Sequence, residues 1–370
     1  MAALRDIHIS DIDPYNLNED VIDNIVAAAL ASSGCKTEKE ERGGNKNAII
    51  RTKARRKKIM VIGHRGSGMN LLQSSNHRMK FIKENSIFAL NAAGNFNLHF
   101  IEFDVQVTKD DCPVIFHDDF IFTKNTQGEI IEKRVTDLTL AEFVSYGPQR
   151  EAANVSKPLF RKIKDGRIFE WKVETDDHLC TLQQVFQNVN HFLGFNIELK
   201  FDNKIVYKEH EIVRVIQLVF KAVFRSAKER PIIFSSFQPD AALLLRKLQT
   251  SYPVFFITNG GSEIYGDTRR NSLDEAITLC REHNLNGIVS EVRAILRNPG
   301  AVTEIKDHSK LSLITYGQLN NVPKVVYTQH LMGVDGVIVD LVEDITAAVS
   351  EFSNSVESEG NLMEDITLEG

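Results

Sequence analysis

Between positions 59 and 345 the apolar residues come in short unbroken runs, separated by longer stretches where they recur every three to four residues. The runs fall at 59–63, 100–105, 195–199, 231–235, 253–257, 287–290, 311–316 and 336–339. Short, continuously apolar runs are what strands look like when both faces are buried. Between them the period changes. In 211–224 the apolar residues stand at 212, 215, 216, 219, 220, 223 and 224, which is one face of a helix. Pro239-Asp240 opens a helix over 241–248, Ser272 caps one over 273–283, and 179–189 reads as another. Eight strand–helix units over this length predict a closed parallel (β/α)8 TIM barrel rather than an open doubly wound sheet. The Gly-x-Gly-x-x-Gly fingerprint of a dinucleotide fold does not follow the first run.

Two stretches break the pattern. A ninth apolar run, 113–116, follows the second too closely for a helix to intervene, and Lys109-Asp110-Asp111 reads as a tight turn, so the pair predicts a hairpin. Residues 120–178 then show poor periodicity and many charges, and read as an insertion after the second strand, on the catalytic side of the barrel. The barrel itself is expected over 59–352, after an N-terminal extension of 1–58 and before an acidic tail of 353–370. In the extension, 21–31 predicts one helix, and 32–46 a flexible linker. The basic cluster from Arg51 to Lys58 reads as a solvated run leading into the first strand.

Composition narrows the class. A chain of 370 residues with 42% hydrophobic residues can build a core large enough to bury a site. The formal net charge of −6 provides no basic field, so nucleic acid is not an expected partner. No uninterrupted apolar stretch reaches the roughly 18 residues that a membrane span needs, so no transmembrane segment is expected. Acidic Asp6, Asp11, Asp13, Glu19 and Asp20 occupy the place where a secretory leader is basic and then apolar. Cys35, Cys112, Cys180 and Cys280 are widely spaced and read as reduced thiols. These features favour an intracellular setting, the cytoplasm first, with a plastid left open by the basic stretch at 51–58. The oligomeric state is left open too.

In a parallel barrel the chemistry sits where the strands end. The first run ends in Gly63-His64-Arg65-Gly66, and the second carries Glu102 and Asp104 on one face. The hairpin ends in His117-Asp118, the third barrel run in Glu198-Leu199-Lys200, and the fourth in Ser235-Ser236-Phe237. Glu102, Asp104 and Glu198 offer hard oxygen ligands, which suit Mg²⁺ or Ca²⁺ better than zinc. Without a cation they repel one another; with one, they form a site that polarises a phosphoryl oxygen. Arg65 and Lys200 add positive charge for a phosphate. His64 and His117 remain for proton traffic, one as general base on the attacking oxygen and the other as general acid on the leaving group.

His64-Arg65-Gly66, Glu84-Asn85-Ser86, residues 101–110, Pro113-Val114-Ile115-Phe116-His117-Asp118 and Ile197-Glu198-Leu199-Lys200 together resemble the glycerophosphodiester phosphodiesterase family. The similarity spans about residues 59–345, and the texture of Gly94-Asn95-Phe96 and of 234–240 looks like the branch found in plants and fungi. The resemblance implies a barrel with an insertion after the second strand. It implies that His64 and His117 are the acid–base pair, that Glu102, Asp104 and Glu198 hold the metal, and that Arg65 and Lys200 contact phosphate. It implies the reaction as well: a small glycerophosphodiester such as glycerophosphocholine or glycerophosphoethanolamine plus water gives sn-glycerol 3-phosphate and the free alcohol.

Some positions depart from the family pattern. Its Glu-Asn-Thr is Glu84-Asn85-Ser86 here, where Glu84 and Asn85 either tie the first loop to the site or Asn85 or Ser86 simply caps a helix. The loop 67–83 is longer than in short bacterial members. Where many members carry a tryptophan near the glycerol, this chain has Tyr316. Tyr316 and Phe237 are the expected glycerol-side contacts and Ser236 a further expected substrate contact, although Phe237 also suits a layer of the barrel core. Trp171 reads as a packing anchor of the insertion, and Asp335 and Asp340 as structural. Alternative readings are a related barrel phosphodiesterase acting on lysophospholipids and a catalytically silent barrel used for ligand sensing. A silent homologue is expected to lose a carboxylate or a histidine, and this chain keeps all five. A metal-dependent amide hydrolase would favour histidine ligands of the His-x-His kind, which are absent.

Overall fold

The computed structural model describes residues 19–32, 58–151 and 155–352. The expected linker, most of the basic cluster with Arg51, and the acidic tail lie outside the described residues. In chain order the strands are β1 (Met60–Gly63), β2 (Phe100–Val107), β3 (Pro113–Ile115), β4 (Phe120–Lys124), β5 (Ile130–Arg134), β6 (Phe160–Lys162) and β7 (Ile168–Glu170). They continue with β8 (Gly194–Leu199), β9 (Ile232–Ser236), β10 (Val254–Thr258), β11 (Gly287–Glu291), β12 (Ser312–Tyr316) and β13 (Gly336–Val339). The main sheet runs β1-β13-β12-β11-β10-β9-β8-β2, and β1 pairs with β2 in turn, so the sheet of eight strands closes on itself as a parallel barrel. Each of the eight apolar runs overlaps one of these strands, four of them starting one residue before it. β3 runs antiparallel to the end of β2, Val105–Val107 pairing with Pro113–Ile115, which is the hairpin that the turn at 109–111 predicts.

The stretch 120–178 holds more regular structure than its periodicity suggests: β4 to β7 form a second, antiparallel sheet in the order β5-β4-β6-β7. These strands have three to five residues and are half exposed, too short for an alternating pattern to stand out. They close over a core of their own, with Phe116, Ile121, Val135, Phe143, Leu159 and Trp171 among its members. Trp171 is thereby the packing anchor that its position suggests.

The chain divides into two compact units. Ile62–Ile257 with Leu279–Gly287 form one, and it contains the second sheet. Phe103, Phe195 and Phe234 are fully buried in it, and the rings of Phe103 and Phe195 meet edge to face at 5.0 Å. Its helix Glu209–Ser226 buries Ile212, Ile216, Val219, Phe220 and Val223 of the expected apolar face, while Phe224 of that face is exposed. The other unit contains Thr258–Thr278 and residues 288–352, together with the helix Glu19–Ser32, which packs against Pro323–Met332. There Asp335 accepts from the Leu313 N–H at 2.7 Å, and Asp340 and Asn321 exchange two hydrogen bonds, so both aspartates hold the fold. Among the described residues no helix is long and apolar enough to cross a membrane.

Candidate active site

The loop after β1 is built by sterics. Arg65 and Gly66 both take positive φ, 50° and 91°. A side chain at Gly66 would place its Cβ 2.7 Å from the carbonyl carbon of Ala89 and 2.9 Å from the Leu90 nitrogen, so only glycine lets the loop lie on the helix Ile87–Ala93. The turn is tied down by hydrogen bonds to its backbone. The Arg65 N–H donates to Glu102 Oε2 at 2.9 Å, and the Arg65 carbonyl accepts from the Asn85 N–H at 3.0 Å. His64, one residue earlier, brings its Nε2 to 4.0 Å from Glu102 Oε2.

Strand register assembles the carboxylates. Glu102 and Asp104 are two residues apart on β2, hence on one face, and the parallel pairing sets Asp104 beside Glu198 of β8. All three are buried, and each offers an oxygen within 4.8 Å of the others. Burial and the charge of Asp104 push the Glu102 carboxyl up to about 8, and burial raises Glu198 as well. Burial also works against Asp104, but His117, Arg65, Lys200 and the Asn85 amide outweigh it and hold that carboxyl at about 2. Glu102 Oε1 is buried with no hydrogen-bond partner among the described residues. An orphaned carboxylate oxygen, two carboxyls pushed upward and a donor set made only of oxygen fit a hard divalent cation.

Cations border this cluster. Lys200 Nζ lies 2.7 Å from Glu198 Oε1 and 3.7 Å from Asp104 Oδ1, and although burial opposes its charge, these neighbours keep it protonated. The same ammonium stands 5.6 Å from the centre of the Phe237 ring. Arg65 reaches Glu84 Oε1 at 2.7 Å and Asp104 Oδ2 at 3.4 Å. His117 Nδ1 lies 2.7 Å from Asp118 Oδ1, while burial and the charges of Arg65 and Lys200 draw its imidazole down to about 4.

The structure therefore brings His64, Arg65, Glu102, Asp104, His117, Glu198, Lys200 and Phe237 together in one unit. Ser236 is fully buried, and its hydroxyl donates to the Leu199 carbonyl and accepts from the Gln238 N–H, so it braces the strand ends. Tyr316 belongs to the other unit, where its hydroxyl bonds Asn259.

Sequence reasoning foresaw only part of the layer behind the site. Asn85 Nδ2 donates to Asp104 Oδ2 at 2.8 Å, and its Oδ1 accepts from the Asp104 N–H at 3.2 Å. Ser86 caps the next helix, its Oγ accepting from the Ala89 N–H at 3.1 Å. Both readings of the Glu84-Asn85-Ser86 motif thus hold, on different residues. Glu84 is buried between Arg65 and Arg161. Burial opposes its charge, yet the two guanidinium groups hold its carboxyl below the ordinary range. Arg161, on β6, also bonds Asp118. Nothing in its local sequence separates Arg161 from the charged residues around it.

Comparison with known proteins adds the family. The model of the glycerophosphoryl diester phosphodiesterase family matches residues 64–344. A glycerophosphodiester phosphodiesterase of Arabidopsis thaliana is 62% identical over 305 residues, covering 82% of this chain and 82% of that protein. A second from Arabidopsis, described as chloroplastic, is 57% identical over 308 residues, covering 83% of this chain and 85% of that protein. Among solved structures, a phosphodiesterase from Oleispira antarctica, in complex with the product sn-glycerol-3-phosphate, covers 79% of this chain and 96% of its own. It has a TM-score of 0.55 at 18% identity, which is a likeness of fold.

Proposed function

The chain belongs to the glycerophosphoryl diester phosphodiesterase family, and from that premise we propose how it hydrolyses glycerophosphodiesters to sn-glycerol 3-phosphate and an alcohol. The observation that carries the reading is the buried cluster of Glu102, Asp104 and Glu198, with its orphaned oxygen and with Lys200 at its edge. These carboxylates hold a divalent cation, Mg²⁺ or Ca²⁺, the ions that all-oxygen donor sets favour. When bound, such an ion supplies positive charge to a phosphoryl oxygen. Lys200 and Arg65 add fixed positive charge to the same region, Lys200 as a point contact for the phosphate and Arg65 as a planar fork. Phe237 walls the glycerol side.

Hydrolysis requires a proton to leave the attacking water and a proton to reach the departing alkoxide as the P–O bond breaks. His64 and His117 divide these two tasks. Asp118 occupies Nδ1 of His117, so Nε2 is the atom that exchanges the proton. Its lowered proton affinity keeps the ring neutral at rest, with that nitrogen carrying a lone pair. Glycerophosphocholine and glycerophosphoethanolamine are the substrates we assign. The setting we assign is intracellular, in the cytoplasm or, as for the chloroplastic relative, in a plastid; organelle fractionation with an antibody decides between them.

The test of the proton assignment is substitution with the fold monitored. His64→Ala and His117→Ala are each expected to abolish release of glycerol 3-phosphate while circular dichroism and the melting transition are retained. Activity that survives in either variant removes that histidine from the role.

A further inference from the structure

One guanidinium in the inserted sheet bonds to none of the residues assigned to a proton, a cation or the phosphate, yet both carboxylates that it holds touch such a residue. Arg161 Nη1 donates to Glu84 Oε2 at 2.9 Å and to the Asn70 carbonyl at 3.1 Å, and Nη2 donates to Glu84 Oε1 at 2.7 Å. On its other side Nε donates to Asp118 Oδ2 at 2.8 Å and Nη2 to Asp118 Oδ1 at 3.1 Å. That makes five bonds, one for each N–H a guanidinium carries. Asp118 Oδ1 is the partner of His117 Nδ1, and Glu84 Oε1 is the partner of Arg65 Nη1.

We propose that Arg161 is a positioning residue: through Asp118 it fixes the orientation and tautomer of His117, and through Glu84 it fixes Arg65, so that the inserted sheet sets the geometry of the reaction. The inference rests on the role given to His117 above. Arg161 is buried, its guanidinium lies 3.9 Å from the centre of the Trp171 ring, and it has no spare donor for a substrate. Glu84 and Asp118 are near enough to oppose each other's charge, and burial opposes both; Arg161 offsets that for each at once. A lysine has the charge but not the planar fork, and it cannot span both carboxylates with paired bonds. Without the fork, Asp118 is released to rotate, and the His117 ring with it.

Two variants of the full-length protein test this, Arg161→Lys and Asp118→Asn, singly and together, with glycerophosphocholine as substrate. Each single variant is expected to lose about 10–100-fold in kcat with KM changed less than about threefold, the loss typical of a partner that orients a reacting group. Because both act through one contact, the double variant is expected to lose no more than the worse single one. In the proton NMR spectrum the low-field Nδ1–H signal of His117, assigned by its absence in His117→Ala, is expected to shift or vanish in both single variants. A kcat within about threefold of wild type in Arg161→Lys, losses that multiply in the double variant, or an unmoved His117 signal would overturn the proposal. If Arg161→Lys does not fold, Asp118→Asn, which leaves the Arg161–Glu84 pair in place, decides alone: unchanged kcat and signal overturn it. Activity retained in His117→Ala would instead sink the underlying assignment. An inactive His117→Ala beside a fully active Arg161→Lys would sink the role of Arg161 alone.

Discussion

Asn85 holds Asp104 by two bonds from a backbone conformation that few residues adopt, and its replacement is a quantitative test of the site's construction. Its φ is +54°, and its side chain is buried. Asn85→Ala deletes the donor to Asp104 Oδ2 at 2.8 Å and the acceptor for the Asp104 N–H at 3.2 Å. A hydrogen bond to a buried carboxylate contributes about 2 kcal/mol, and a neutral one about 1 kcal/mol. Alanine in the left-handed region adds about 1 kcal/mol. The expected loss is therefore about 4 kcal/mol, read as a shift of the urea midpoint with the slope unchanged. Asn85→Gly loses the same two bonds but escapes the left-handed strain, which offsets the extra freedom of glycine in the unfolded chain. Glycine is thus expected to be at least as stable as alanine here, whereas in an ordinary helical position it is about 1 kcal/mol worse. Measured in EDTA, a loss below about 1 kcal/mol in Asn85→Ala, or glycine clearly below alanine, would mean that Asn85 does not hold Asp104 in this way. With Asp104 no longer held by the amide, cation affinity should fall in both variants.

Other perturbations reach neighbouring parts of the same construction. In EDTA the folded chain holds a proton on Glu102 more tightly than the unfolded chain, because its carboxyl is raised from 4.5 to about 8. The stabilisation from that group is therefore full below 4.5 and is lost as the pH rises toward about 8. Glu102→Gln should flatten this slope in thermal melts and blunt the stabilisation given by Mg²⁺ or Ca²⁺; an unchanged slope would mean that Glu102 is not the strained carboxylate. Gly66→Ala places a Cβ against the backbone of Ala89 and Leu90 at φ +91° and is expected to cost about 2–3 kcal/mol in urea unfolding, with activity lost in step. Ser86→Ala removes the cap on the Ala89 N–H and should cost about 1 kcal/mol, with kcat nearly unchanged.

The barrel was legible because its strands are buried on both faces, which turns position in the fold into unbroken apolar runs. β2 exceeds its run by two residues because Gln106 and Val107 are paired by β3 rather than by a barrel neighbour. The carboxylates were legible because a strand period of two puts Glu102 and Asp104 on one face. The supporting layer was legible only in part, at Glu84 and Asn85. Arg161 stands in a charged stretch, and its burial is decided by Glu84, 77 positions away, which no local pattern encodes. Ser236 shows the opposite error: its place at a strand end suggested a contact in the mouth, but its hydroxyl is committed to the Leu199 carbonyl. Asn85 and Ser86 divide the two roles that the motif left open, because a left-handed residue turns its amide back to Asp104 while the next residue starts the helix.

The most direct measurement is the release of sn-glycerol 3-phosphate from glycerophosphocholine by the purified chain, first in EDTA and then with Mg²⁺ or Ca²⁺ restored. A phosphate site built on Glu102, Asp104 and Glu198 predicts no turnover in EDTA and recovery with the cation. Turnover that EDTA leaves unchanged, or no release from any glycerophosphodiester with the cation present, would contradict it.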